Sequence, residues 1–298
     1  MRDADQWTAL ADALSRATGD QVRPMPETRV HGGCINESYR WESASGPLFV
    51  KVADAARLSM LEAEAAGLGE LAQANAVRVP GVRAIGATAH YAFLALEWLE
   101  LGASSTASET RLGELLAWQH RVSAPRFGWH RDNTIGSTAQ PNAWSDDWVA
   151  FFRERRLAFQ LDLARRNGHD GGLARRGAEL LELMGAFFVS YHPVPSLLHG
   201  DLWGGNWATD RAGNPVVFDP AVYFGDREAD LAMTRLFGGF SNAFYTAYHA
   251  TWPLDQAAGS RRALYNLYHV LNHLNLFGGG YREQAQGMID RLLAELGH

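Results

Sequence analysis

The sequence predicts an α+β protein of two lobes: a small N-terminal lobe built on an antiparallel sheet, residues 1–99, and a larger, mainly helical lobe, residues 100–298. Three observations predict it. From Arg23 to Leu99, short β-type runs are broken by a single helical stretch. After residue 100, apolar residues recur at helical spacing almost to the C-terminus. That helical part is divided once, by the β-type stretch "LLHGDLWGGNWATDRAGNPVVFDP" from Leu197 to Pro220.

Each element follows from its residues. "MRDADQWTALADALSRATGD" has the spacing of an amphipathic helix and carries acids, unlike the apolar core of a secretion signal. "ETRVHGGCINESYRWES" sets a Gly-Gly turn between two strand-like pieces, and "PLFVKVA" reads as a third strand. Leu58, Leu61, Ala65, Leu68 and Leu71 then recur at helical spacing. "GVRAIGATAH" and "YAFLALEWLE" supply two more strands, and the small-residue run "LGASSTASE" marks the lobe boundary. Apolar helical faces return in "SETRLGELLAWQHRV", "WSDDWVAFFRERRLAFQLDLARRNG", "GLARRGAELLELMGAFFVSY", "DREADLAMTRLFGG", "NAFYTAYHATW" and "SRRALYNLYHVLNHLNLFGGGY", with a final helix after them.

Composition narrows the function classes. A chain of 298 residues, 47% hydrophobic and 11% aromatic, has ample material for a core. Its 27 basic and 33 acidic side chains, net −6 and without a basic run, argue against a nucleic-acid partner. No segment reaches the apolar length of a membrane span, so a cytoplasmic protein without a membrane partner is expected, a monomer or weak homodimer. The single cysteine, Cys34, excludes an internal disulfide and a multi-cysteine zinc site. His269 and His273 stand one helical turn apart, a spacing that can hold zinc, but no glutamate follows His269 and no third ligand is apparent.

The chemistry lies where apolar runs end in aspartate, because a carboxylate beside apolar neighbours loses solvation that a cation must return. His199-Gly200-Asp201 followed by Asn206 has the D-x-x-x-x-N spacing of a kinase catalytic loop, and Asp219 ends the next strand, where a second Mg²⁺ ligand belongs. Taken singly, Asp201 reads as a turn cap, Asn206 as a turn residue and Asp219 as an Asx-turn before Pro220. Lys51 in "LFVKVA" would alone be a snorkelling strand lysine. In this chain order it supplies the fixed cation that phosphoryl transfer needs, with Glu64 on the next helix as its partner and Glu62 on another helix face. Gly32 and Gly33 offer bare backbone N–H groups to phosphates, although "HGGCINE" is not a G-x-G-x-x-G loop. Order of elements and residues together give the plan of the protein-kinase-like fold, with ATP and Mg²⁺ as cofactors. Adenine is expected to pair with the carbonyl of Glu97 and the N–H of Leu99 at the lobe boundary. Cys34 shares the glycine loop, where N–H groups and Lys51 favour thiolate, so reversible oxidation that obstructs loop closure is expected.

The chain resembles the fructosamine kinase (ketosamine-3-kinase) family, within the wider aminoglycoside-phosphotransferase-like kinases. The resemblance is carried by "HGDLWGGNW", "DPAVYFGDREADLAMTRLFGGF", "LYNLYHVLNHLNLFGGGY", "TIGSTAQPNAWSDDWVAFFRERRL" and "GGCINESYR", which span nearly the whole chain. It implies ATP-dependent phosphorylation of a sugar hydroxyl, the 3-hydroxyl, in a sugar–amine adduct, which destabilises the adduct and frees the amine. By position, Asp201 would be the base, Asn206 and Asp219 the Mg²⁺ ligands, Lys51 the phosphate contact and Glu64 its partner. Gly200 replaces the arginine of the protein-kinase loop and Pro220-Ala221 the Phe-Gly after the metal aspartate, and ten residues separate Asp219 from Asp230, which implies a small acceptor. Trp203 offers an apolar face to a sugar ring or packs between lobes. His273 and Asn275 either hydrogen-bond the sugar or belong to the core. Two other readings stand beside this one: a kinase of aminoglycosides, choline or a similar amine-bearing alcohol, and a silent ATP-binding scaffold, which should have lost one of Lys51, Asp201, Asn206 or Asp219.

Overall fold

The computed structural model describes residues 4–26, 28–30 and 37–298. The chain forms two compact units: Met1–Ser108 with Trp207–Pro220, and Glu109–Asn206 with Ala221–His298.

In the first unit, helix α1 (Ala4–Thr18) precedes strands β1 (Thr28–Val30), β2 (Glu37–Ser43) and β3 (Gly46–Asp54). A short 3-10 turn leads into α2 (Leu58–Ala74), then β4 (Val82–Ala87) and β5 (Tyr91–Glu97). The sheet order is β1-β2-β3-β5-β4, antiparallel throughout. Alternation along β3 decides the architecture. Leu48, Val50 and Val52 join Tyr39, Trp41 and Phe93 in a core completed by Leu10 and Leu14 of α1, where each buried leucine contributes about 1.5–3 kcal/mol. Trp7 seals it edge-on to Tyr39 and Trp41, and the Trp41 indole N–H donates to the Arg23 carbonyl at 2.7 Å. Lys51, between Val50 and Val52, therefore faces the opposite side of the sheet. The helix α2 packs on β4 and β5 and ends at Asn75, whose left-handed φ of 51° terminates it.

The compact units divide the chain elsewhere than at the 99/100 boundary read from the sequence, for a local reason. Strand β6 (Leu101–Gly102) pairs with the later strand of Trp207–Asp210, and Thr209 Oγ1 donates to the Ala103 carbonyl at 2.9 Å. The segment 207–220 is thereby drawn into the first unit.

Helix α3 (Thr106–His120) leads into the second unit. There a hairpin of β7 (Asn133–Ile135) and β8 (Thr138–Gln140), absent from the sequence reading, is joined by two residues, the first being Gly136 at φ 63°. The long helix read from "WSDDWVAFFRERRLAFQLDLARRNG" is split into α4 (Trp148–Phe152), a π-helical turn at Arg153–Ala158 and α5 (Phe159–Arg166). Asp147 caps α4, accepting from the Ala150 N–H at 2.7 Å. Then come α6 (Gly172–Leu183), a 3-10 turn and β9 (Ser196–Leu198), after which β10 (Trp207–Asp210) and β11 (Pro215–Val217) form the hairpin that returns to the first unit. Strand β12 (Tyr223–Gly225) pairs with β9, and α7 (Glu228–Leu236), α8 (Asn242–Thr251), α9 (Ala258–Phe277) and α10 (Tyr281–Glu295) complete the chain. Trp148 stacks on Phe151 and Phe152, and its indole N–H donates to the Tyr265 hydroxyl at 3.0 Å. No helix among the described residues is long and apolar enough to cross a membrane.

Candidate active site

In the first unit the expected cation is where the sheet register puts it. Lys51 Nζ lies 2.5 Å from Glu64 Oε1 and 2.6 Å from Asp219 Oδ1, with only 6% of the residue exposed. Burial alone would lower its pKa, but the two carboxylates outweigh that and hold the ammonium above the ordinary lysine value. Glu64 moves upward too, because burial and the nearby Asp219 charge disfavour its ionised form more than Lys51 favours it. Asp219 adopts φ 56°, in the left-handed region that Asp tolerates better than most residues. Its hairpin is anchored by Arg78, which the sequence reading missed: Arg78 donates to Asp210 Oδ2 at 2.5 Å and to Glu97 Oε1 at 3.0 Å, and its carbonyl accepts the Val217 N–H at 2.9 Å. Glu97 closes β5, and Trp98–Glu100 continue outside any strand. Gly32, Gly33 and Cys34 lie outside the described residues.

In the second unit, the loop after β9 carries the expected base. Asp201 is held from behind: the side-chain amide of Asn206 donates to the Asp201 carbonyl at 2.8 Å and to its Oδ2 at 3.2 Å. The loop is in turn tethered by Asp230, which sequence reasoning used only to measure a spacing. Asp230 Oδ2 accepts the His199 N–H at 2.7 Å, Oδ1 the Gly200 N–H at 2.8 Å, and His120 Nε2 lies 3.1 Å from Oδ2. Burial would raise this carboxyl, but the bonds and charge from His120, His199 and Gly200 hold it below the usual carboxylate range. His120 itself is pushed down by burial, so its neutral Nε2–H donates to Asp230 while Nδ1 accepts from Tyr248 at 2.8 Å. The signal that could have identified Asp230 was its position among "LAM" and "LF" residues on an apolar helix.

Gly200 takes φ 82°, and a Cβ there would stand 2.0 Å from the Ala221 carbonyl oxygen. Trp203 is 38% exposed, its ring folds over Gly205, and its carbonyl accepts the Asn206 N–H at 2.9 Å. From Trp203 the aromatic rings continue through Phe237 at 6.4 Å to His273, 4.8 Å further, and on to Phe277 and Tyr281. His273 is lowered in pKa by burial, and its Nδ1 donates to the His269 carbonyl at 2.8 Å. Asn275 has partners within the fold. Its amide N–H groups donate to Gln160 O at 3.0 Å and Gln160 Oε1 at 2.8 Å while its oxygen accepts from Asn167, which makes it a brace between α9 and α5. A cavity of about 480 Å³ lined by Leu231, Arg235, Tyr245 and His249 contains none of the expected site residues.

Two side-chain oxygens are left without hydrogen-bond partners among the described residues. Asn206 is anchored through its nitrogen, which leaves Oδ1, and Asp219 gives Oδ1 to Lys51, which leaves Oδ2. Both are hard oxygen donors of the kind Mg²⁺ takes.

Sheet order, the committed lysine and the tethered loop place the protein among the ATP-dependent phosphotransferases of protein-kinase-like fold. More narrowly, it belongs to the fructosamine kinase family, whose model matches residues 6–295. It is 45% identical over 289 residues to a probable ketoamine kinase of Synechocystis, covering 96% of this chain and 97% of that protein. It is 40% identical over 270 residues to the chloroplastic protein-ribulosamine 3-kinase of Arabidopsis thaliana, covering 90% and 82%. A crystal structure from Haemophilus somnus, described as a fructosamine-3-kinase, matches with TM-score 0.87 at 30% identity, over 96% of this chain and 97% of that one. An aminoglycoside phosphotransferase bound to AMP-PNP and hygromycin B shares the fold alone, with TM-score 0.66 at 16% identity over 96% and 98%.

Proposed function

We propose that this protein transfers the γ-phosphoryl group of ATP to the 3-hydroxyl of a ketosamine, a sugar joined to an amine, in deglycation repair. The observation that carries the chemistry is Lys51 fixed between Glu64 and Asp219. Such a lysine serves as a permanent cation for phosphate oxygens and keeps its proton throughout turnover. The ketosamine acceptor is supported by the names of the relatives.

In this reading Asp201 accepts the proton of the attacking hydroxyl. Asn206 steadies that carboxylate through Nδ2, so the base does not depend on solvent for its orientation. Asn206 Oδ1 and Asp219 Oδ2 would hold Mg²⁺, which when bound neutralises phosphate charge. Adenine pairs with the Glu97 carbonyl and the Leu99 N–H, the latter lying beyond the end of β5. Trp203 and His273 supply the sugar side, and the ring series through Phe237 suits the cationic secondary amine of a ketosamine, since aromatic faces attract cations. Phosphate placed on the 3-hydroxyl destabilises the adduct and releases the amine.

Purified protein with Mg-ATP is offered fructosyl- and ribulosyl-lysine, an aminoglycoside and choline, with ADP release and phosphorus NMR of the product as readouts. Phosphorylation of the ketosamines at carbon 3 is expected. Turnover of the aminoglycoside or choline alone would assign a different acceptor, and no turnover of any would leave a nucleotide-binding protein.

A further inference from the structure

The segment "NTIGSTAQPNAW" and the π-helical turn after it take no part in the chemistry above, yet they assemble a buried polar cluster. Arg156 has no exposed surface. Its Nη1 donates to the Pro141 carbonyl at 2.6 Å and its Nη2 to Asn142 Oδ1 at 2.7 Å. The guanidinium lies over the Tyr223 ring at 4.1 Å and the Phe151 ring at 4.7 Å. No carboxylate pairs with it among the described residues; its two Nη atoms meet carbonyl oxygens and its face lies on aromatic rings, while the buried Nε has no hydrogen-bond partner among those residues. A π-helical turn inside a helix often marks a functional site, and this one carries Arg156.

From Arg156 the hydrogen bonds run in one direction. Asn142 Nδ2 donates to Asn133 Oδ1 at 2.8 Å, and Gln140 Nε2 donates to the same oxygen at 2.8 Å. Tyr268 fixes Gln140 from its other end, donating to Oε1 at 2.7 Å. Asn133 Oδ1 thus faces two donors, which forces its nitrogen outward to the Val222 carbonyl at 2.8 Å. Gln140 Nε2 also reaches the Ala221 carbonyl at 3.1 Å. The cluster therefore ends on two consecutive peptide oxygens. Ala221 in turn donates its N–H to the His199 carbonyl at 2.8 Å, and its own oxygen occupies the space a Gly200 side chain would need.

We propose that Arg156, Asn142, Asn133 and Gln140 are positioning residues for catalysis. They fix the Ala221–Val222 backbone, and through it the His199–Gly200 backbone that aims Asp201. The proposal rests on Asp201 being the base. Apolar packing would fill this space equally well, so a network in which every amide is oriented indicates that position as well as volume is being specified.

The test is Gln140→Met, which keeps the volume and removes the donor to Ala221, with Arg156→Lys and Arg156→Met beside it. Each is assayed with a ketosamine and Mg-ATP, kcat being expressed per folded molecule from nucleotide-binding titration, alongside KM for ATP and the thermal midpoint. Gln140→Met is expected to lower kcat about 10- to 100-fold with KM for ATP within about twofold. Arg156→Lys, which keeps a donor and the charge, should recover part of what Arg156→Met loses. A kcat per folded molecule within about threefold of wild type, or a Gln140→Met chain that does not fold, overturns the proposal and leaves the cluster structural. Asp201→Asn run in parallel separates the two claims: if it retains turnover, the base assignment fails and the positioning role with it, whereas an inactive Asp201→Asn beside an unaffected Gln140→Met refutes the positioning role alone.

Discussion

Replacing Asp230 by Asn changes one atom of a residue that never meets substrate in the proposed reaction, and it should disable the protein. The carboxylate accepts three hydrogen bonds, from His199 N–H, Gly200 N–H and His120 Nε2, in a site with no solvent to substitute. In the better of its two orientations the asparagine oxygen keeps His199 and His120, and its NH₂ faces the Gly200 N–H. One charge-assisted bond is lost, worth about 1.5–3 kcal/mol, and a buried donor is left unpaired at about 1–3 kcal/mol. A net loss of about 3 kcal/mol is reasonable, since the side chain will relax to relieve part of the conflict. That is roughly a 100-fold shift between the held loop and a displaced one. Because Gly200 immediately precedes Asp201, kcat should fall at least about 10-fold, while Lys51, Glu64 and Asp219 are untouched and KM for ATP should stay within about twofold. Urea unfolding and steady-state kinetics on the same preparation measure both effects. Normal kcat in a protein destabilised by about 3 kcal/mol would show that Asp230 holds the fold and not the base.

Asp201→Asn keeps the shape of the base but cannot take the hydroxyl proton, so turnover should fall about 10²- to 10⁴-fold with ATP binding retained by calorimetry. Glu64→Gln leaves Lys51 with Asp219 as its only charged partner among the described residues, and the loss of one charge-assisted bond should raise KM for ATP about 10-fold or more in initial-rate measurements. His269 is buried with Nδ1 unpartnered among the described residues, and burial pushes it down to about 3, so the folded state stays unprotonated where the unfolded chain, near 6.5, takes up a proton. Its contribution is therefore complete above about pH 6.5 and lost as the pH falls toward 3; at pH 5 the loss is about 2 kcal/mol. Chemical denaturation at pH 7 and pH 5 should show a smaller difference for His269→Gln than for wild type, by about that amount.

Much of the fold was legible because it rests on long periodic segments. The strand pattern of "PLFVKVA" fixed which way Lys51 points, and the spacing from Asp201 to Asn206 fixed a loop that the structure closes with a hydrogen bond. The β7–β8 hairpin was not legible, because three residues per strand cannot display an alternation. Nor were Arg78 and Asp230, whose partners are 132 and 31 residues away, respectively, in the chain. The bracing partner of Asn275 was not legible either: its amide meets Gln160 on α5, 115 residues away in the chain, which sequence spacing cannot reveal.

Gly200 carries a consequence for heredity. Its substitution is barred on two independent counts, backbone handedness and the Ala221 oxygen in the place of a side chain. No amino acid reachable from a glycine codon by one base change lacks a Cβ, so this position has no mutational neighbour to drift into. In a saturation library scored for phosphoryl transfer it should read as a single-letter column.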